Sequence, residues 1–205
     1  MGDAPTGIAM LGGSFDPPHR THRRMIEAAF RHLPIGRALV LPVGDHPQKE
    51  GLTGASDRLE MCRLAFADLP DTEVDDREVR RRGPSFTADT IDEIAREFPG
   101  RPLYWLIGSD NAPLLPTWKD YRRILSRCRV AILERLGHRL DERALQDSGL
   151  TTEERAHLLA SRIPFEADGV SATDLRRALR AGRRDLRDLH PDVLAYIDRR
   201  GLYRS

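Results

Sequence analysis

Short apolar runs alternate with segments of helical period along nearly the whole chain, and this alternation restricts the fold more than any other feature. "GIAML" (Gly7 to Leu11), "ALVLPV" (Ala38 to Val43), "LYWLIG" (Leu103 to Gly108) and "RVAIL" (Arg129 to Leu133) each read as a buried strand. "TEV" (Thr72 to Val74) and "IPF" (Ile163 to Phe165) are weaker candidates. Between the strands, His22, Met25, Ile26, Ala29, Phe30 and Leu33 follow helical spacing, as do Ile91, Ile94, Ala95 and Phe98. Asp57 with Glu60, and Thr151 with Glu154, fit capping boxes at two further helix starts. Two helices close the chain, the second starting near Pro191. Alternating strands and helices make right-handed βαβ units. The expected fold is therefore α/β: a Rossmann-like, doubly wound, mostly parallel sheet with helices on both faces and a small C-terminal helical part. Such sheets bind ligands at the carboxyl ends of their strands, where strand order reverses, and the loop after the first strand is the usual place.

The 205 residues suit one compact domain. Hydrophobic residues make up 40%, enough for a core. The 33 basic and 32 acidic residues leave a net charge of +1, which gives no reason to expect a nucleic-acid or membrane partner. Cys62 and Cys128 are far apart and form no C-x-x-C pair, which argues against a disulfide framework or a cysteine zinc site. There is no basic-then-apolar signal pattern and no apolar run of membrane-spanning length, so the expected location is cytoplasmic.

The stretch "MLGGSFDPPHRTHRRM", from Met10, disrupts both a strand and a helix, as a loop built around a ligand would. Gly12 and Gly13 stand where the first strand should end, and without Cβ atoms they let a ligand approach the backbone. The N–H groups that follow, and the helix start beyond them, favour an anion. Neither G-x-G-x-x-G nor G-x-x-x-x-G-K-[ST] is present. Instead His19 and His22 stand three apart, so roughly on one face of a first helical turn, each with a ring N–H to offer a phosphate oxygen. Two histidines at a helix start are also what a surface would show. As zinc ligands they lack a convincing third or fourth partner. The joint pattern of strand, Gly-Gly, Pro-Pro and paired histidines is more specific than any of its parts.

"GGSFDPPHRTH" resembles the signature of bacterial nicotinate mononucleotide adenylyltransferase, within the nucleotidyltransferase superfamily marked by H-x-G-H. "RRRGPSFTADTIDEI", "WLIGSD" followed by "TW", "VSATDLRRAL" and "HPDVLAYIDRRGLY" resemble further elements of that family, in its order and over nearly the whole chain. The resemblance implies a single nucleotidyltransferase domain over residues 1–205, with about 168–205 as the C-terminal helical part that carries S-x-T-x-x-R. It implies adenylyl transfer from ATP to nicotinate mononucleotide, giving deamido-NAD and pyrophosphate in NAD biosynthesis. The nucleophile is a phosphate oxygen, already ionised near neutral pH, so positioning and charge stabilisation replace a general base.

By the same resemblance, His19, His22 and Arg176 are catalytic. The ATP end is Gly12, Gly13, Ser14, Phe15, Thr21, Gly108, Asp110, Ser171 and Thr173, and the mononucleotide end is Lys49, Thr87 and Trp118. Ser171 or Thr173 can cap a helix, and Arg176 just inside it can reach the β- and γ-phosphates. Trp118 suits the cationic pyridinium ring, whereas Trp105, within a strand, reads as core. The Thr87 hydroxyl and adjacent N–H groups suit the nicotinate carboxylate. Arg177, Arg180, Arg183 and Arg184 read as a solvated basic face. ATP chemistry implies Mg²⁺ held mainly by phosphates and water, with no dedicated protein cage.

Two departures from the family pattern stand out. Thr21 replaces the glycine of H-x-G-H, adding a branched side chain where the adenine should pack. Gln48 replaces a histidine in "HPQK". Both bear on ATP affinity and selectivity more than on fold. The alternatives are a sister nucleotidyltransferase with another phosphorylated acceptor, such as the phosphopantetheine enzyme, and a catalytically weak nucleotide-binding protein of the same fold. Homo-oligomerisation stays open.

Overall fold

The computed structural model describes residues 6–134, 140–165 and 169–204. The expected boundary at 168 lies outside the described residues. Six strands, β1 (Gly7–Gly13), β2 (Ile35–Pro42), β3 (Thr72–Val74), β4 (Leu103–Gly108), β5 (Arg129–Leu133) and β6 (Arg162–Ile163), form one sheet in the order β3-β2-β1-β4-β5-β6. Every pairing is parallel. The order reverses between β1 and β4, so their carboxyl ends open a crevice at the switch point.

Why the apolar runs are continuous follows from the two cores. Ala9, Leu11, Ala38, Val40, Leu106, Ala131 and Leu133 face one core. Ile8, Met10, Leu39, Leu41, Trp105, Ile107 and Ile132 face the other. A parallel sheet covered on both faces buries every residue of a strand, whichever way the side chain alternates. The first core is closed by α1 (Arg20–His32), α2 (Ala55–Phe66), α8 (Ala172–Arg180) and α9 (Pro191–Arg200), through residues such as Ile26, Phe66, Leu175 and Ile197. The second is closed by α4 (Thr87–Glu97), α5 (Tyr121–Arg127) and α7 (Thr152–Ala160), through Ile91, Ile124 and Leu158. Two four-residue helices, α3 (Arg77–Arg80) and α6 (Glu142–Leu145), complete the set among the described residues. Cys62 and Cys128 are buried in opposite cores, and burial pushes the Cys128 thiol up to about 12.

Three local expectations need correction. The "IPF" strand is only Arg162–Ile163, because Pro164 has no N–H to continue the ladder. The capping box at Asp57 does not form: α2 starts at Ala55 behind Gly54, and Asp57 instead accepts from Tyr196 (2.7 Å) and Arg200 (3.1 Å) of α9. The second box does form, with Glu154 N–H donating to Thr151 Oγ1 (3.2 Å) and Thr151 N–H to Glu154 (2.8 Å).

The third correction concerns Gly12 and Gly13. They do not follow β1; they are its last two residues, paired with Leu41 and Pro42. A Cβ on Gly12 would stand 2.5 Å from the Trp105 indole, so this glycine serves the packing of β4 against β1 as well as lining the cleft described below. Gly12→Ala is therefore expected to destabilise the protein by about 2 kcal/mol through overpacking. That corresponds to a fall in Tm of roughly 6 °C for a chain of this size, readable by calorimetry. An unchanged Tm would show that Trp105 can move aside.

Candidate active site

The loop that leaves β1 is bent by Phe15, which holds a left-handed backbone (φ 49°) although it is not glycine. Its ring is buried, edge-on to His22 (centroids 4.9 Å apart) and to Phe66 (6.1 Å). Core packing of the side chain thus holds a backbone turn that the residue type disfavours. His19 follows in extended conformation at the N-cap of α1, 6% exposed. The His19 N–H donates to His22 Nδ1 at 3.1 Å, and the two rings lie 3.9 Å apart. An imidazole that accepts at Nδ1 is neutral and carries its proton on Nε2. The first turn of α1 therefore fixes His22 as an Nε2–H donor. Thr21, 3% exposed, is accommodated inside the same turn.

Arg176 reaches this loop from α8, donating to the Asp16 carbonyl (2.8 Å) and to Thr173 Oγ1 (3.1 Å). No side chain caps α8: Ser171 occupies the N-cap position without bonding into the helix, and Thr173 accepts from Arg176 instead. One or the other was expected to cap this helix, and the structure gives neither that role. Lys49 donates to Ser14 Oγ at 3.0 Å. Lost hydration, then the Arg176 charge, hold the Lys49 ammonium below its usual range. Two cations are thus held near one another beside the imidazole pair, an arrangement that an anion between them relieves. The Asp16 carboxylate accepts from the Tyr203 hydroxyl and the Thr53 N–H (3.2 Å), and with Asp110 it offsets part of that crowding around Lys49.

Sequence reading missed Arg58. It is 1% exposed, on the buried face of α2, and donates to Ser14 O (2.8 Å), Gly44 O (2.9 Å) and Thr53 O (2.8 Å). One guanidinium therefore ties the loop after β1 to the loop after β2. The second loop is in turn fixed to the segment before α4, since Ser85 N–H donates to Asp45 O (3.0 Å). A Cβ on Gly44 would lie 2.2 Å from the Glu78 carbonyl, so only glycine permits that approach. A charge on an otherwise apolar helix face, with Cys62, Ala65 and Phe66, was the available signal.

At the other end of the cleft, α4 begins at Thr87 behind Phe86, with no side chain capping its N-terminus. Glu78, 5% exposed, accepts from Thr90 Oγ1 (2.6 Å), and burial pushes its carboxyl up. After β4 the chain turns through a 3₁₀ segment, Ser109–Thr117, that carries Asp110 and delivers Trp118 at its end. Trp118 packs partly against the second core, whereas Trp105 is 3% exposed within it, as expected. Of the arginines read as a solvated face, Arg177 and Arg183 make exposed ion pairs. Arg184 departs from that reading: it pairs with Asp198 (2.5 Å) and donates to Leu179 O (3.1 Å), closing the end of α8 onto α9.

One cleft of about 840 Å³ joins these parts. All the singled-out residues line it: His19, His22 and Arg176; Gly12, Gly13, Ser14, Phe15, Thr21, Gly108, Asp110, Ser171 and Thr173; Lys49, Thr87 and Trp118. It also takes in His46, Glu78, Phe86, Asn111, Leu114 and Lys119, none of which sequence reading had singled out. Among the described residues no group of three or more His, Cys, Asp or Glu side chains could hold a metal ion. A magnesium ion carried in on a polyphosphate would find the Asp110 carboxylate in this lining and would otherwise rely on phosphate and water oxygens. Among the described residues, no helix is long and apolar enough to cross a membrane.

A cytidylyltransferase-like family model matches residues 10–178. A curated relative from Roseiflexus sp. (strain RS-1), described as a "probable nicotinate-nucleotide adenylyltransferase", is 38% identical over 207 residues, covering 100% of both chains. A relative of the same description from Escherichia coli O17:K52:H18 is 34% identical over 96% of this chain and 98% of its own. In fold, the chain resembles Plasmodium falciparum nicotinic acid mononucleotide adenylyltransferase complexed with NaAD, with a TM-score of 0.76 at 20% identity over 97% of each chain.

Proposed function

The chain belongs to the cytidylyltransferase-like family, as a nicotinate-nucleotide adenylyltransferase within it, and on that premise we propose how its own residues divide the work of joining ATP to nicotinate mononucleotide. The reaction forms a bond from a phosphate oxygen of the mononucleotide to the α-phosphorus of ATP. It breaks the bond from that phosphorus to the bridging oxygen, and pyrophosphate leaves.

The observation that carries the assignment is the polarity of the cleft. Donors of positive charge or N–H converge at the carboxyl end of β1, and an indole with an uncapped helix start stands beyond β4. ATP lies over the first end. His22 Nε2–H and the His19 ring donate to its phosphates, and the backbone of Gly13, Ser14 and Phe15 cradles them. Gly108, Asp110, Thr21, Ser171 and Thr173 border the nucleoside and the tail of the triphosphate. Arg176, already aimed across the loop at the Asp16 carbonyl, stabilises the leaving pyrophosphate. Mg²⁺, when bound to the ATP phosphates, neutralises charge that develops on the β- and γ-oxygens. Lys49, between the two ends, holds the acceptor phosphate. Trp118 stacks on the pyridinium ring, and Thr87 with the first N–H groups of α4 faces the nicotinate carboxylate.

Trp118→Ala tests the division. Removing a stacking face from a desolvated pyridinium should weaken mononucleotide binding by about 2 kcal/mol, some thirtyfold, with ATP binding almost unchanged. Calorimetric titration of each substrate reads this directly. Equal losses for both would mean that Trp118 is a packing residue and the acceptor end lies elsewhere.

A further inference from the structure

Lys119 follows Trp118 and lines the same cleft. Its ammonium lies 4.2 Å from the centroid of the Phe86 ring, and Phe86 is the N-cap residue of α4, directly before Thr87. Its carboxylate neighbour is Asp89, at 3.7 Å. Asp89, however, is also engaged at 2.5 Å by Arg123, which Asp120 (3.3 Å) and Asp92 (3.7 Å) share, so it keeps a closer cation when Lys119 moves. Lys119 is thus a half-exposed cation (48%) held on an aromatic face by a loose ion pair, beside the uncapped helix start. A lysine so placed can swing to a stronger anion without leaving another charge stranded.

We propose that Lys119 is a specificity-determining residue that selects the acidic pyridine nucleotide by the net charge of its ring. This rests on the adenylyl-transfer reading above. The nicotinate ring is a zwitterion, with a cationic nitrogen and an anionic carboxylate. The nicotinamide ring carries the cation alone. An ammonium at the carboxylate side of the pocket attracts the first and repels the second, so one side chain acts on both terms of the discrimination. Helix N–H groups recognise the shape of a carboxylate, whereas Lys119 recognises its charge.

The test compares kcat/KM for nicotinate and nicotinamide mononucleotides in wild type and in Lys119→Met, Lys119→Arg and Lys119→Glu, with thermal melts to verify folding. Lys119→Met is expected to shrink the nicotinate preference about fivefold, a magnitude suited to a water-screened charge. The loss should appear as a raised KM for nicotinate mononucleotide. Lys119→Glu should shrink the preference further, and Lys119→Arg should keep it. Added salt should narrow the preference of wild type and leave that of Lys119→Met nearly flat. A folded Lys119→Met that keeps the wild-type preference overturns this inference alone. A wild type with no preference between the two also overturns it. A wild type that adenylylates neither mononucleotide overturns the underlying reading and this inference with it.

Discussion

His22→Ala is expected to lower kcat about a hundredfold or more in a protein that still folds, because a preorganised donor to transition-state charge is worth about 3 kcal/mol. The argument starts in the first turn of α1. His22 Nδ1 accepts the His19 N–H at 3.1 Å, which leaves Nε2–H as the ring's only donor. The reaction has no covalent intermediate to shelter the charge, so each lost donor is felt in the rate. Alanine also removes the acceptor for the His19 N–H, at a cost in stability of about 1 kcal/mol. Two further variants separate these effects. His22→Asn places an oxygen near the Nδ1 position and should restore stability without restoring rate. His22→Gln places an amide N–H near the Nε2 position and should recover part of the rate. Steady-state kinetics with thermal melts reads both. A folded His22→Ala with wild-type kcat would remove His22 from the chemistry.

Arg58→Met is expected to be the most destabilising substitution considered, although Arg58 lies outside the cleft lining. The guanidinium is buried and satisfies the carbonyls of Ser14, Gly44 and Thr53. Methionine fills much of the volume but leaves those acceptors without their donor. Breaking such a buried charged network costs about 3–5 kcal/mol. For a chain of this size that is a fall in Tm of roughly 10 °C. Because Arg58 joins the loop after β1 to the loop after β2, KM should rise for ATP and for the mononucleotide together, in contrast to Trp118→Ala. A Tm within about 2 °C of wild type would show that water takes over the three carbonyls.

How much of this was legible in the sequence depends on the range of the interaction. The strands were, because a doubly covered parallel sheet turns each into an unbroken apolar run; Leu103–Gly108 and Arg129–Leu133 were read to the residue. The cleft lining was legible mainly through the family motifs the chain resembles, and His19, His22, Asp110 and Trp118 line one cleft although they are distant in the chain. What was not legible depends on contacts between elements. Gly12 read only as a place for a ligand to approach, and that it also makes room for the Trp105 indole shows only in the fold. Asp57 looked like a cap, but Tyr196 of the last helix takes its carboxylate. The hydroxyl of Tyr203 bonds to Asp16 at the far end of the chain, which no local pattern reveals. Arg58 shares a helix face with Cys62, Ala65 and Phe66, a signal the sequence does carry, but what it ties together shows only in the fold. Phe15 carries a left-handed backbone that its residue type argues against, held by Phe66 and His22.

The central claim is that one cleft holds a triphosphate donor at β1 and an acidic pyridine mononucleotide beyond β4, and joins them. Initial rates of pyrophosphate release with ATP, Mg²⁺ and each mononucleotide in turn test it most directly, with the dinucleotide product identified by mass. The account predicts release that depends on both substrates, matched one to one by deamido-NAD, with kcat/KM higher for nicotinate than for nicotinamide mononucleotide by about tenfold to a hundredfold, the cost of an unpaired buried donor. Pyrophosphate release that does not depend on a pyridine mononucleotide, or no release at all from folded protein, would contradict it.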